Sequence, residues 1–283
     1  MDFSIIIPAY REKNLNNLID CLLDQDLLKD MVLKKIVIVV CGSGDLSTVK
    51  NKKVKIIQEK VRRGKASAIN LGLNEVNSEI IVLESGDTFP EKDTVKKLLG
   101  PFSNSDVGMT ASRPIPSNDN KKFMGFTNHS VWHLHHLVSL ERPKVGEMFA
   151  FRKVIDKIPR KLAADESYFE FIISRKGYKI VYVPDAIVFN KGPENLSHLL
   201  KQRRRAFNGH LQIRKKYGYP VSTMSVKRIL KALLKYFEIR SIKNLKEILW
   251  LFFAIFFEGL ARFLAVIDFY FFKKIPYKWE MVK

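Results

Sequence analysis

Several short stretches of this 283-residue chain gather side chains that can do chemistry. Glu84-Ser85-Gly86-Asp87 follows an apolar run. Carboxylates in such a place suit a hard divalent cation, whose shell is completed by phosphate oxygens and water. Arg62-Arg63-Gly64-Lys65-Ala66 leads into a small-residue helical stretch with Gly64 at its start. A helix N-terminus attracts anions and the flanking cations can hold a diphosphate, although the same arginines also suit a solvated loop. In Pro8-Ala9-Tyr10-Arg11-Glu12 the proline fixes φ and the tyrosine offers a flat face, for stacking or for an ordinary strand-to-helix turn. The glycines of Cys41-Gly42-Ser43-Gly44-Asp45 allow close backbone approach to a ligand. Asp165-Glu166 falls where a helix begins, and the helix dipole favours acids there. Three consecutive arginines, Arg203 to Arg205, cannot share one helix face, so at least one must look toward solvent or lipid. His129, His133, His135 and His136 invite a zinc reading, but no neighbouring Cys, Asp or Glu completes a tetrahedral set.

The elements that must position these residues alternate through the first half. Ile5 to Ile7, Ile36 to Val40, Val54 to Ile57 and Ile80 to Leu83 are short β-branched runs, as buried parallel strands require. Leu15, Leu18, Ile19, Leu22 and Leu23 repeat at helical spacing between the first two, and residues 66–73 form a second helical stretch. This alternation predicts a doubly wound, mostly parallel sheet, in which ligands bind beyond the carboxyl ends of the strands. Further strands are expected near Val107 to Ala111, Met148 to Phe151 and Lys179 to Val183. Helices are expected over 126–140 and 197–217. From Ser225 to Phe237 the pattern is amphipathic, with Val226, Ile229, Leu230, Leu233, Leu234 and Phe237 on one face and lysines on the other.

The formal charge is +20, and residues 201–247 carry 14 Lys and Arg against two acids, so that block supplies +12 of it. The strongly aromatic, apolar run Ile248 to Phe272 follows directly. A basic block beside an apolar one points to anionic lipid headgroups rather than to nucleic acid. The run is long enough to cross a bilayer, but it contains Glu258, Arg262 and Asp268. Glu258 and Arg262, four apart, can pair on one face. The two cysteines form no zinc pair and no disulfide framework, which fits a reducing compartment. No signal peptide is expected.

Five segments occur in the order seen in family 2 glycosyltransferases of the GT-A fold, which the chain resembles over about residues 3 to 218. They are SIIIPAYREKNLNNLIDCLL, VRRGKASAINLGL, SEIIVLESGDTFP, ADESYFEFIISRKGYKIVYVPDA and GPENLSHLLKQRRRAFNGH. The resemblance implies that Pro8, Ala9, Tyr10, Glu12, Gly42, Ser43, Lys65, Ser85 and Asp87 bind the nucleotide sugar. It puts Ser85 and Asp87 at the two acids of the metal-binding Asp-x-Asp, so Asp87 is the candidate ligand for Mg²⁺ or Mn²⁺, and His210 a further one. Val40 and Cys41 stand where the family commonly has acids that meet the base. Asp165-Glu166 inverts the family's Glu-Asp, which leaves either residue as the implied general base, Glu166 by alignment. Gln202, Arg204 and Arg205 fall in a Gln-x-x-Arg-Trp-like signature that borders donor phosphate and acceptor, with Ala206 replacing the tryptophan; a guanidinium fork suits such a phosphate.

The expectation is therefore an α/β GT-A domain over 1–220 and a helical, membrane-associating region over 221–283. The implied reaction is inverting transfer from a nucleotide-diphosphate sugar to a hydroxyl of a membrane-linked glycan or lipid, on the cytoplasmic side of the cell membrane. The alternatives are a polyprenyl-phosphate glycosyltransferase, a nucleotidyltransferase on a related sheet, and an inactive membrane-bound nucleotide-sugar binder. A nucleotidyltransferase usually carries a glycine-rich loop after its first strand, and Tyr10 to Lys13 contains no glycine.

Overall fold

The computed structural model describes residues 1–42, 46, 49–240 and 244–278. The chain forms two compact units. The first comprises Met1–Pro114, Val145–Lys161 and Tyr168–Asn190, and the second Ile115–Lys144, Leu162–Ser167 and Lys191–Lys283.

The first unit is built on strands β1 (Asp2–Tyr10), β2 (Val32–Cys41), β3 (Val54–Gln58), β4 (Ile80–Leu83), β5 (Thr88–Pro90), β6 (Val107–Pro116), β7 (Phe149–Arg152) and β8 (Lys179–Asn190). Their order across the sheet is β3-β2-β1-β4-β7-β6-β8-β5. The first four are parallel, and pairing turns antiparallel at β4–β7, β7–β6 and β8–β5. Both faces of β1 and β4 are covered, which is why Ile and Val run there without alternation. Helix α1 (Leu15–Leu23) buries Leu15, Leu18, Ile19 and Leu22, the apolar stripe read from the sequence. Helix α2 (Lys65–Leu73) buries mainly small residues, so it lies close to the sheet. The short helix α3 (Thr94–Leu99) adds Val95, Leu98 and Leu99 to the same core.

Parallel strands place their carboxyl ends along one edge, so the residues after β1, β2 and β4 gather there. An antiparallel neighbour meets that edge with its beginning. Leu83, the last residue of β4, pairs with Phe149, the first of β7, which brings Glu147 to this edge. Thr88 pairs with Asn190, the last residue of β8, which brings Asn190 there as well.

The second unit contains α4 (Phe123–Glu141), α6 (Leu196–Tyr217), α7 (Val226–Arg240) and α8 (Leu245–Tyr270). Helix α5 (Asp165–Arg175) starts with residues of this unit and continues in the first. Phe126, Leu137 and Val138 of α4 pack with Ala232 and Tyr236 of α7 and Leu251 of α8. The Ser130 hydroxyl and the Tyr236 hydroxyl, 2.8 Å apart, share a hydrogen bond inside that cluster. Asn195 caps α6 by accepting from the His198 amide at 3.0 Å, and Asn244 caps α8 by accepting from the Lys246 amide at 2.8 Å. Arg214, Lys215 and Lys216 in the last turn of α6 complement its dipole.

Candidate active site

At the end of β1, Pro8 and Ala9 are buried and Tyr10 is half-buried. The Arg62 guanidinium lies over the Tyr10 ring, 3.8 Å from its centroid, and that of Arg11 is 5.3 Å away. A face of the ring expected to receive a base is thus covered by the Arg62 guanidinium. Arg11 adopts φ 53°, a left-handed conformation that costs energy in a non-glycine residue, and its amide donates to the Cys41 carbonyl at 3.2 Å. Gly42 has φ 64°, and a Cβ there would lie 3.3 Å from the Arg11 side chain. Ser43, Gly44 and Asp45 lie outside the described residues.

Glu84 points into the core and is fully buried. The Thr88 hydroxyl donates to its Oε1, while its Oε2 has no hydrogen-bond partner among the described residues. Burial pushes this carboxyl well above the usual range, and the charges of Glu147 and Asp87 add to the rise. Ser85 is buried, with Oγ 3.2 Å from Glu147 Oε2, and Asn190 donates to Glu147 Oε1 at 3.3 Å. Burial, then the charge of Asp87, raises Glu147, against the pull of Lys65. Glu12 is raised to about 7 by burial and by Asp87. Gly86 joins the two strand ends: a Cβ there would lie 3.1 Å from Ala9 Cβ and 3.3 Å from Glu12 Cγ. Asp87 is exposed.

Glu12, Glu84 and Glu147 thus each feel the charge of Asp87 at this sheet edge, and Lys65 supplies positive charge near Glu84 and Glu147. Burial is the main cause that raises Glu12, Glu84 and Glu147, and the charge of Asp87 adds to it, a repulsion that a cation would relieve. No three of the described Asp, Glu, His or Cys residues form a closed metal cage. Exposed Asp87 with Glu147 or Glu12 beside it fits a Mg²⁺- or Mn²⁺-type ion held by one or two carboxylates and completed by phosphate oxygens. Neither Glu147 nor Asn190 was legible as a site residue in the sequence, because only the β4–β7 and β5–β8 registers bring them to Ser85 and Thr88.

In the second unit, Asp165 and Glu166 open α5. Asp165 is buried at 4% exposure, whereas the Glu166 side chain is 24% exposed. Glu166 Oε1 lies 3.9 Å from Lys144 Nζ and 4.0 Å from His210 Nε2. Lys144 is buried beside it. Burial, then the charges of Lys144, Arg203 and Arg262, holds His210 well below its usual range, so its ring is neutral. The approach of α6 to this corner depends on Gly209, where a Cβ would sit 2.7 Å from Ala164 Cβ and 2.9 Å from the Ala163 backbone.

Gln202 and Arg205 are half-buried on α6. Arg203 forks onto Glu258 of α8, Nε to Oε2 at 2.6 Å and Nη2 to Oε1 at 3.0 Å, and Arg262 Nε reaches the same Oε1 at 2.7 Å. Arg204 likewise donates from Nε to Asp268 Oδ2 and from Nη2 to Asp268 Oδ1. Of the residues that the resemblance places beside phosphate and acceptor, Arg204 is thus paired with α8, which presents its carboxylates along α6. Among the histidines of α4, His129 Nε2 is 2.9 Å from the Asn118 carbonyl, and His133 packs edge-on against Tyr236. Those contacts are structural.

The family model for glycosyl transferase family 2 matches residues 4–179. The chain belongs to this family. A probable glycosyltransferase of Bacillus subtilis (strain 168), YdaM, is 25% identical over 192 residues, 62% of this family 2 chain and 45% of that one. The poly-beta-1,6-N-acetyl-D-glucosamine synthase of Staphylococcus aureus (strain COL) is 23% identical over 245 residues, covering 80% and 57%. The family 2 chain thus spans about half the length of the curated relatives it matches. Its fold is of GT-A type and is similar to that of the mannosyltransferase PcManGT from Pyrobaculum calidifontis, solved in complex with GDP-Man and Mn²⁺. That likeness has a TM-score of 0.65 at 18% identity and covers 96% of this chain and 88% of the other.

Proposed function

We propose that the chain is an inverting glycosyltransferase that moves a sugar from a nucleotide-diphosphate sugar to a hydroxyl of a membrane-linked glycan or lipid. The observation that carries this reading is the carboxyl cluster around Asp87, set with Lys65, Tyr10 and Arg62 at the carboxyl edge of the parallel strands in a family 2 sheet. Tyr10, Arg62, Gly42 and Lys65 bind the nucleotide and its diphosphate. Asp87, with Glu147 or Glu12, would hold the divalent cation. Glu147 beside Ser85 restores the negative charge that serine lacks at the first position of Asp-x-Asp, which argues against an inactive binder. A bound Mg²⁺ or Mn²⁺ supplies charge stabilisation to the departing diphosphate.

Glu166 is the base in this reading, since it is the more accessible of the two acids. Its Oε1 lies 3.9 Å from the Lys144 ammonium and 4.0 Å from His210 Nε2, which hold the carboxylate in place. The acceptor hydroxyl gives its proton to Glu166, its oxygen bonds to the anomeric carbon, and the bond from that carbon to the diphosphate breaks with inversion. Residues 1–220 act as the catalytic portion and 221–283 as the membrane-associating portion. Free cysteines and a nucleotide-sugar donor fit the cytoplasmic leaflet.

The test is a thermal-shift screen of nucleoside diphosphates with and without Mn²⁺, followed by an assay for nucleoside diphosphate released from the matching sugar nucleotide. We expect one nucleoside diphosphate to stabilise the protein more with Mn²⁺ than without. If none binds and none is released, the reading fails.

A further inference from the structure

Helix α8 divides its surface along its length. Leu251, Ala254, Ala261, Ala265 and Asp268 are buried, and Glu258 completes a seam at three-and-four spacing. Alanine at three of those places lets neighbours come close. The two acids of the seam are met by Arg203 and Arg204 of α6, with Arg262 closing on Glu258. The opposite side carries Phe252, Phe256, Phe263 and Tyr270, each more than half exposed. Helix α7 shows the same division. Its Ala232 and Tyr236 are buried, while Val226, Leu230 and Leu234 form an exposed stripe at 70%, 56% and 66%. Lys227, Lys231 and Lys235 lie exposed beside that stripe, and Lys246, Lys273 and Lys274 are exposed near the ends of α8.

Apolar area on this scale needs a cover, and the lysines around it specify a negative one. Helix α8 is long and apolar enough to cross a membrane. Its seam, however, ties it to α6, a helix that carries Arg203, Arg204, Arg205, Arg214, Lys215 and Lys216. Crossing would either pull those cations into hydrocarbon or strip Glu258 of Arg203 and Asp268 of Arg204, leaving Glu258 with only Arg262 of its own helix.

We propose that α7 and α8 dock the protein in the interface of one anionic leaflet, and that the Arg203–Glu258–Arg262 and Arg204–Asp268 pairs hold α8 at the surface instead of letting it span. This deepens the membrane part of the proposed function and rests on it. The buried side of α8 stays on the protein, its aromatic side enters the acyl boundary, and the flanking lysines meet phosphate headgroups.

The experiment is co-sedimentation of the full chain with vesicles of phosphatidylcholine, with and without phosphatidylglycerol. We expect partition roughly tenfold or more stronger with phosphatidylglycerol, weakening in high salt, and release by alkaline carbonate. The double substitutions Phe252→Ser with Phe256→Ser, and Leu230→Ser with Leu234→Ser, should each weaken partition about tenfold or more with an unchanged circular dichroism spectrum, since these side chains are exposed. Resistance to carbonate would show a span and overturn the proposal. So would equal partition into both vesicles, partition into neither, unaltered partition of both variants, or a dimer that the phenylalanine substitutions dissociate. Nucleoside diphosphate release is measured on the same preparations with a soluble acceptor. Release without vesicle binding sinks this inference alone, and vesicle binding without release sinks the transferase reading alone.

Discussion

Replacing Glu258 with glutamine tests the junction of α6 and α8 by the smallest possible change, since shape is kept and the charge removed. Burial alone would raise the Glu258 carboxyl, but the charges and hydrogen bonds of Arg203 and Arg262 outweigh it and bring it down from 4.5 to about 2. At about 1.4 kcal/mol per tenfold change in proton affinity, the folded chain favours the ionised form by about 3 kcal/mol more than the unfolded chain does. The side chain is 21% exposed, so solvent screening removes little of this. A depressed folded value means stability that is present in full above about 4.5 and lost as pH falls through about 2. Glu258→Gln should therefore be less stable than the parent by about 3 kcal/mol at pH 7, in line with the roughly 3–5 kcal/mol cost of breaking a buried pair. At pH 3 the same linkage leaves a difference of about 1.4 kcal/mol. Urea unfolding in mild detergent, followed by circular dichroism at both pH values, measures it. Equal midpoints at pH 7, or a difference that does not shrink at pH 3, would refute the reasoning.

Glu166→Gln should lower transfer by about 10²–10⁴-fold with the thermal midpoint little changed; if it turns over normally and Asp165→Asn is dead instead, the base is Asp165. Asp87→Ala should abolish the Mn²⁺-dependent part of the nucleotide thermal shift, and excess chelator should do the same to the parent protein. Full transfer in chelator would show that Lys65 and the arginines alone carry the diphosphate charge. Gly209→Val should destabilise by about 1–3 kcal/mol, because its Cβ meets the Ala163 and Ala164 backbone region with no room to yield. A Gly209→Val protein as stable as the parent would mean that α6 is free to shift away from that corner.

The parallel half of the sheet was legible in the chain itself. Ile5 to Ile7, Ile36 to Val40 and Ile80 to Leu83 are β-branched and unbroken because strands covered on both faces select such residues. The amphipathic α1 and the aromatic, basic C-terminal helices were legible for the same local reason, since periodicity records which side of an element is covered. The carboxyl ends of β1, β2 and β4 could be named as the binding edge because parallel topology alone puts them together. Even the Glu258–Arg262 pair followed from a spacing of four.

What the tertiary structure decided are the long-range encounters, whose partners carry no mark in their own neighbourhood. Glu147 joins Ser85 only through the antiparallel β4–β7 register, 62 residues apart in sequence. Lys144 and His210 reach Glu166 only through the packing of the second unit, where Gly209 permits the approach of α6. Arg204, which the resemblance places beside the donor phosphate or acceptor, and its neighbour Arg203 are bound to Asp268 and Glu258, 64 and 55 residues on. A side chain's local pattern fixes which face of its helix or strand it occupies. Which charge waits on the facing element depends on how the whole chain is folded back, and that choice settles whether an arginine serves a substrate or secures a helix.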